Sequence, residues 1–205
     1  MTNTAITIEA AIQQANLQTI DHMTHIKNLE SILANGLHAH GNKHQQVDIS
    51  NQDVNSRRAI KTEQIHNRSL HDYVPFYFNP RNAMLYKTTK EHGDLIVILG
   101  FSPSITQHGI VTDGNAANDC TYFGTPEEGL SCINWMEVFS DSWFDDQERK
   151  RQMMAEVLIP HKVSIEHLTH IFCASDRIKE YIDSNFSLDS VEVMKMPHIF
   201  FQGLI

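Results

Sequence analysis

At 205 residues and 41% apolar side chains, the chain can bury one core without disulfide or metal staples. Its formal net charge of −9 argues at face value against a polyanionic partner. No apolar run approaches the roughly 18 residues of a membrane span, and Cys120, Cys132 and Cys173, with no Cys-x-x-Cys spacing, read as reduced thiols of a cytoplasmic protein.

Residues 1–19 have neither the basic start nor the apolar stretch of a secretory signal. Ile8, Ala11, Ile12, Ala15 and Leu17 suit either a short helix or a loose tail. Ile20–Ile26 reads as a strand carrying His22, Thr24 and His25. Asn28 follows as a helix cap, Glu30 lies in the first turn where the helix dipole favours a carboxylate, and Gly36 closes the helix after about two turns. Residues 38–55 are polar and irregular. His38, His40 and His44 lie there without a His-Glu-x-x-His or a cysteine at ligand spacing, so a flexible loop is favoured over a metal site. Residues 54–61 suit a short helix bearing Arg57 and Arg58.

After a polar connector comes His71-Asp72 and the aromatic, β-branched run Tyr73–Phe78, of strand composition. Pro75 cannot donate to a ladder and is expected at the strand's start or edge. Asn79-Pro80 breaks the run. Arg81 and the amphipathic Ala83–Tyr86 follow, and residues 87–93 are read as a turn. From Arg57 to Lys90 seven Lys and Arg stand against two carboxylates, a basic stretch in an acidic chain that suits a phosphate-rich ligand or a solvated mixed face.

Asp94–Phe101 is a continuous apolar run, expected as a fully buried central strand. Residues 110–112 form a short strand, 113–131 a mobile surface loop, and 133–150 a helix with an acidic side. Met153–Pro160 is a strand in which Glu156 is embedded among apolar residues; such a carboxylate needs either an open face or a partner. A short helix at 164–167, a buried strand at 170–174, a helix at 175–184 and strands at 191–194 and 199–201 complete the chain. With no regular βαβ alternation and no G-x-G-x-x-G, the expected class is α+β: one domain over 1–205 with a split, mostly antiparallel sheet and peripheral helices.

Four pieces of this pattern, in order, resemble the DarT family of DNA ADP-ribosyltransferase toxins. They are His22-Met23-Thr24-His25-Ile26-Lys27-Asn28-Leu29; Arg57-Arg58; His71 through Phe78 with Pro80-Arg81 and Met84-Leu85-Tyr86; and Ala155-Glu156-Val157-Leu158. The resemblance implies an ADP-ribosyltransferase fold and transfer of ADP-ribose from NAD⁺, without a metal, to a base of single-stranded DNA, thymine in one branch and guanine in another. It further implies a monomeric toxin, in a toxin–antitoxin or phage-defence setting, neutralised by a DarG-type macrodomain. His22, Thr24, Asn28, Leu29, Arg58 and Tyr77 would hold NAD⁺, and Glu156 and Arg58 would be catalytic. His71, Tyr73, Arg81, Met84 and Tyr86 would face DNA. The chemistry is consistent. A strand-borne carboxylate stabilises the oxocarbenium character that develops on the ribose. A guanidinium keeps its charge and offers a planar fork. Neutral His22 would donate to ribose hydroxyls. Loop 113–131 matches no family pattern, which leaves the acceptor open to guanine, RNA or protein. A silent NAD⁺- or nucleic-acid-binding module is the alternative of a different class.

Overall fold

The computed structural model describes residues 7–201 and 203. The expectation for residues 1–19 therefore lies partly outside the described residues; within them Ile8–Gln14 forms helix α1, with Thr7 as its cap. Strand β1, Ile20–His25, leads through a 3-10 turn into α2, Leu29–Asn35. Gly36 ends α2 at φ +83°, and a Cβ there would lie 2.9 Å from the Val163 carbonyl oxygen, so both conformation and space call for glycine. Strand β2 is Leu37–His38, and α3 is Gln52–Ile60. Strand β3, Tyr73–Tyr77, precedes α4, Ala83–His92, and then β4, Ile96–Phe101. Strand β5, Ile110–Thr112, and β6, Phe123–Gly124, are followed by three short helices: α5, Pro126–Cys132, α6, Trp135–Val138, and α7, Gln147–Gln152. Strands β7, Glu156–Pro160, β8, Lys162–Val163, and β9, Leu168–Cys173, lead to α8, Asp176–Asn185, and β10, Glu192–Lys195.

The main sheet has eight strands in the order β10-β9-β4-β1-β3-β7-β5-β6. Its pairs are antiparallel except β10 on β9. It is split: β1 pairs with β4 over its whole length but meets β3 at a single register pair, Asp21 opposite Tyr77. Every residue of β4 is buried. Val97, Leu99 and Phe101 join one apolar cluster and Ile96 and Ile98 another, so both faces of the strand are covered. That two-sided burial is why its sequence reads as an unbroken apolar run.

Several expectations are corrected. Pro75 lies in the middle of β3, not at its start, but on the side facing the split, where the His22 ring takes its carbonyl in place of a ladder partner. Residues 87–92 continue α4 until Gly93 turns the chain at φ +62°. Residues 113–131 are not all loop: Thr125, Pro126 and Glu128 form a capping box and proline start for α5. The helix expected over 133–150 breaks between α6 and α7. There Ser142 accepts from Phe144 N, Asp145 takes φ +59°, and Asp146 caps α7 through Arg149 N, at 2.8 Å. Short polar side chains competing for backbone groups explain the break. Residues 199–201 form no strand.

Candidate active site

The split opens onto a cleft of about 1000 Å³, of a size that suits a dinucleotide together with part of an acceptor. Arg58 and Tyr77 line it, and behind them lies the start of β7, none of whose residues lines the cleft itself. Glu156, the first residue of that strand, is 1% exposed and lies across the ladder from Tyr77. Its carboxylate is held from two sides. Arg58 Nη1 donates to both oxygens at 3.2 Å, and the Ala116 backbone N–H donates to Oε1 at 2.8 Å. Arg58 lines the cleft, and its buried Nη2 has no hydrogen-bond partner among the described residues. A buried donor left open beside a cleft is what an incoming oxygen acceptor would satisfy, so the site fits a ribose-, phosphate- or carbonyl-bearing ligand. Tyr77 lines the same space, and its phenol is pushed up by burial and then by the Glu156 carboxylate, so it stays protonated.

His22 projects from β1 beside the split. Its Nδ1 lies 2.8 Å from the Pro75 carbonyl, and burial lowers its pKa. The neutral ring therefore carries its proton on Nδ1, the nitrogen that donates to Pro75, and Nε2 is left as an acceptor. Nε2 is thus free to accept, where the sequence reading has the neutral ring donating.

Thr24 and Asn28 act as a pair. Asn28 Nδ2 donates to Thr24 Oγ1 at 3.1 Å and to Val47 O at 2.8 Å, while Oδ1 accepts from Gln46 N and Val47 N at 2.9 Å each. Asn28 stands at the cap position of α2 without capping it; its amide pins residues 46–47 of the loop whose Gln45 and Asp48 line the cleft. Leu29 is wholly buried in the main apolar cluster and does not line the cleft, so its side chain has no surface to offer a ligand.

The expected DNA-facing residues divide. His71, Tyr73, Arg81, Met84 and Tyr86 all line the cleft. The Tyr73 hydroxyl, however, donates to Glu63 at 3.0 Å, and its phenol is pushed up by burial and that carboxylate. His71 Nε2 donates to Asn55 Oδ1 at 2.8 Å, and burial and the ring of His40 lower its pKa. Arg81 sits over the ring of Phe201 at 4.3 Å. Of the loop histidines, His40 lies 4.6 Å from the His71 ring and His38 lies 5.0 Å from His44.

Some contributors had no local signal. Glu63 is buried and accepts from Ile65 N at 2.6 Å, His66 N at 2.9 Å and Arg68 N at 2.9 Å. Burial raises its pKa, but these donors outweigh that and hold it below the ordinary value. Arg151, 7% exposed, makes two bonds to Asp113, at 2.8 and 3.0 Å, and its carbonyl accepts from Asn115 N at 3.0 Å. It thereby fixes the loop that delivers the Ala116 N–H. A turn at Asp113-Gly114-Asn115 is visible in the sequence; its anchor is not, because Arg151 lies 38 residues away.

Comparison with known proteins gives the family. The family model described as "ssDNA thymidine ADP-ribosyltransferase, DarT" matches residues 22–201. A DNA ADP-ribosyl transferase of Thermus sp. (strain 2.9) is 30% identical over 176 residues, covering 80% of this chain and 84% of that protein. A "DNA ADP-ribosyl transferase-DNA ADP-ribosyl glycohydrolase fusion protein" of Thermosipho africanus is 26% identical over 194 residues; the match takes in 88% of this chain but only 48% of the fusion. Among solved structures, Thermus sp. 2.9 DarT in complex with ADP-ribosylated ssDNA superposes with a TM-score of 0.81 at 26% identity, covering 91% of this chain and 97% of that one. The same protein in complex with NAD⁺ gives a TM-score of 0.74 at 26% identity, with 90% and 98% coverage. A split sheet with a carboxylate–guanidinium pair at its opening, in a chain matched over nearly its whole length, places the protein in the DarT family as a NAD-dependent DNA ADP-ribosyltransferase.

Proposed function

We propose that this protein transfers ADP-ribose from NAD⁺ to thymine in single-stranded DNA and that it acts as a growth-arresting toxin countered by a DarG-like macrodomain. The observation that carries the reading is the Glu156–Arg58 pair, with Glu156 anchored by Ala116 N–H and Arg58 keeping one buried nitrogen without a partner among the described residues.

Bound NAD⁺ supplies an ADP-ribose whose C1′–nicotinamide bond breaks with the electron pair leaving on nicotinamide. Glu156 holds negative charge beside the ribose as positive character develops there. The Ala116 N–H and Arg58 Nη1 keep that carboxylate from rotating, so little reorganisation is needed at the moment of reaction. Arg58 directs its second nitrogen at the acceptor base carbonyl and orients a ring nitrogen toward C1′. The new C1′–N bond forms as that nitrogen attacks, and its proton passes to water. His22 accepts from a ribose hydroxyl through Nε2, and the Asn28-held loop covers the nucleotide. The partner assignment is supported by the Thermosipho africanus relative, whose name joins a transferase to a DNA ADP-ribosyl glycohydrolase.

The test is mass spectrometry of defined single-stranded oligonucleotides incubated with the protein and NAD⁺, with Glu156→Gln as control. An ADP-ribose mass on strands containing thymine, absent with the variant, is the expected result. An adduct confined to guanine-containing strands would overturn the thymine assignment and keep the mechanism. For the toxin role, expression in bacteria is expected to arrest growth, and co-expression of a DNA ADP-ribosyl glycohydrolase macrodomain to restore it. Unimpeded growth would remove that part of the reading.

A further inference from the structure

Four aromatic side chains on three separate segments converge on one side of the cleft: Tyr86 on α4, Trp143 and Phe144 between α6 and α7, and Phe201 near the chain end. Tyr86, Trp143 and Phe201 meet edge to face, with centroids 6.1 Å apart for Tyr86–Trp143, 5.1 Å for Tyr86–Phe201 and 5.9 Å for Trp143–Phe201. An edge-to-face contact takes up one face of one ring and only the edge of the other, so the rings brace one another while faces on the cleft side stay open. Phe144 is 82% exposed and Tyr86 is 41% exposed. Exposed aromatics gathered at the mouth of a substrate cleft mark a binding surface more than a core.

The electrostatic setting favours an anionic chain. The cleft is lined by Arg57, Arg58, Arg81, Lys87 and Lys150, against the carboxylates Asp48 and Asp141. In a protein of net charge −9, this is a local basic exception. Arg81 also closes one side of the aromatic group, over Phe201. Open aromatic faces beside cations are how single strands are held without base-specific hydrogen bonds: bases stack while phosphates meet the charges.

We propose that Trp143, braced by Tyr86 and Phe201, and the exposed Phe144 beside it form a stacking site for a nucleobase that flanks the modified one in the acceptor strand. The proposal rests on single-stranded DNA being the acceptor. Stacking is tolerant of base identity, so the site sets how much strand must lie beside the target more than it sets sequence.

The experiment measures transfer to single-stranded oligonucleotides carrying one target base and flanks of increasing length, using the parent protein, Phe144→Ala and Trp143→Ala. Phe144 is almost free of protein contacts, so its truncation leaves the fold intact. The expected result is a KM for long oligonucleotides raised about tenfold, a KM for NAD⁺ at the parent value, and a difference that disappears on the shortest oligonucleotide still modified. An equal loss at every length, or no change in either variant, would overturn the stacking site while leaving the acceptor assignment standing. A raised KM for NAD⁺ would assign the aromatics to adenine of the donor instead and overturn it too. If the parent protein modifies no oligonucleotide, the acceptor reading itself fails, and the stacking site falls with it.

Discussion

At the scale of single residues, charge placement decides what the site can do. Glu156→Gln keeps shape and retains an oxygen for the Ala116 N–H, but removes the negative charge that the proposed mechanism sets beside the ribose. Transfer is expected to fall by about 10²–10³-fold, with NAD⁺ affinity nearly unchanged in a calorimetric titration; retained turnover would remove the role assigned to Glu156. Asp21 is a different case. Among the described residues it sits at the single register pair joining the half-sheets, is 5% exposed, and has an oxygen without a hydrogen-bond partner. Burial raises its pKa to about 7, against the opposing Thr19 hydroxyl. A carboxyl that binds its proton more tightly when folded supports the fold at low pH, and that support is lost as pH rises through about 7. Asp21→Asn cannot ionise, so it is expected to raise Tm by on the order of 5 °C at pH 8, with the gain shrinking toward pH 5. A gain independent of pH in thermal unfolding would contradict this account.

At the scale of elements, the site depends on loops tied to the sheet by buried polar side chains. Asn28 carries the loop at 46–47 on its amide, and no residue of α3, the helix bearing Arg58, is buried. This part of the cleft is therefore held by hydrogen bonds more than by packing. Asn28→Ala strips two backbone donors and one acceptor of their partners, at a cost of roughly 1–3 kcal/mol. The expected outcome is a KM for NAD⁺ raised about tenfold with a smaller change in kcat. An unchanged KM in steady-state kinetics would show that the loop does not cover the nucleotide.

At the scale of the whole molecule, a net charge of −9 coexists with a cation-lined cleft. The global charge opposes DNA while the local field recruits it, so binding is expected to be steeply salt-dependent. With about three phosphates neutralised, raising salt from about 50 to 200 mM should weaken single-strand binding roughly tenfold to thirtyfold. NAD⁺, with a single pyrophosphate, should respond much less. A flat salt response in fluorescence anisotropy with labelled oligonucleotides would argue against phosphate contacts in the cleft.

The sequence by itself determined the strands whose patterns are local. The apolar run of β4, the aromatic run of β3 and the Gly36 stop of α2 are all legible because burial and backbone conformation act residue by residue. It also carried the motifs that place Glu156 and Arg58 in one family. Only the tertiary structure decided how those residues are used. The 98-position separation of Arg58 and Glu156 is closed by the pairing of β3 with β7 and by the lie of α3, and no local pattern encodes that distance. The tautomer of His22 follows from a carbonyl 53 residues away. The same holds for Asn28, whose apparent capping role gave way to a loop 18 residues on, and for Leu29, whose motif position faces the core. Side-chain hydrogen bonds and burial are properties of what folding brings alongside, whereas strand and turn propensities belong to the chain itself.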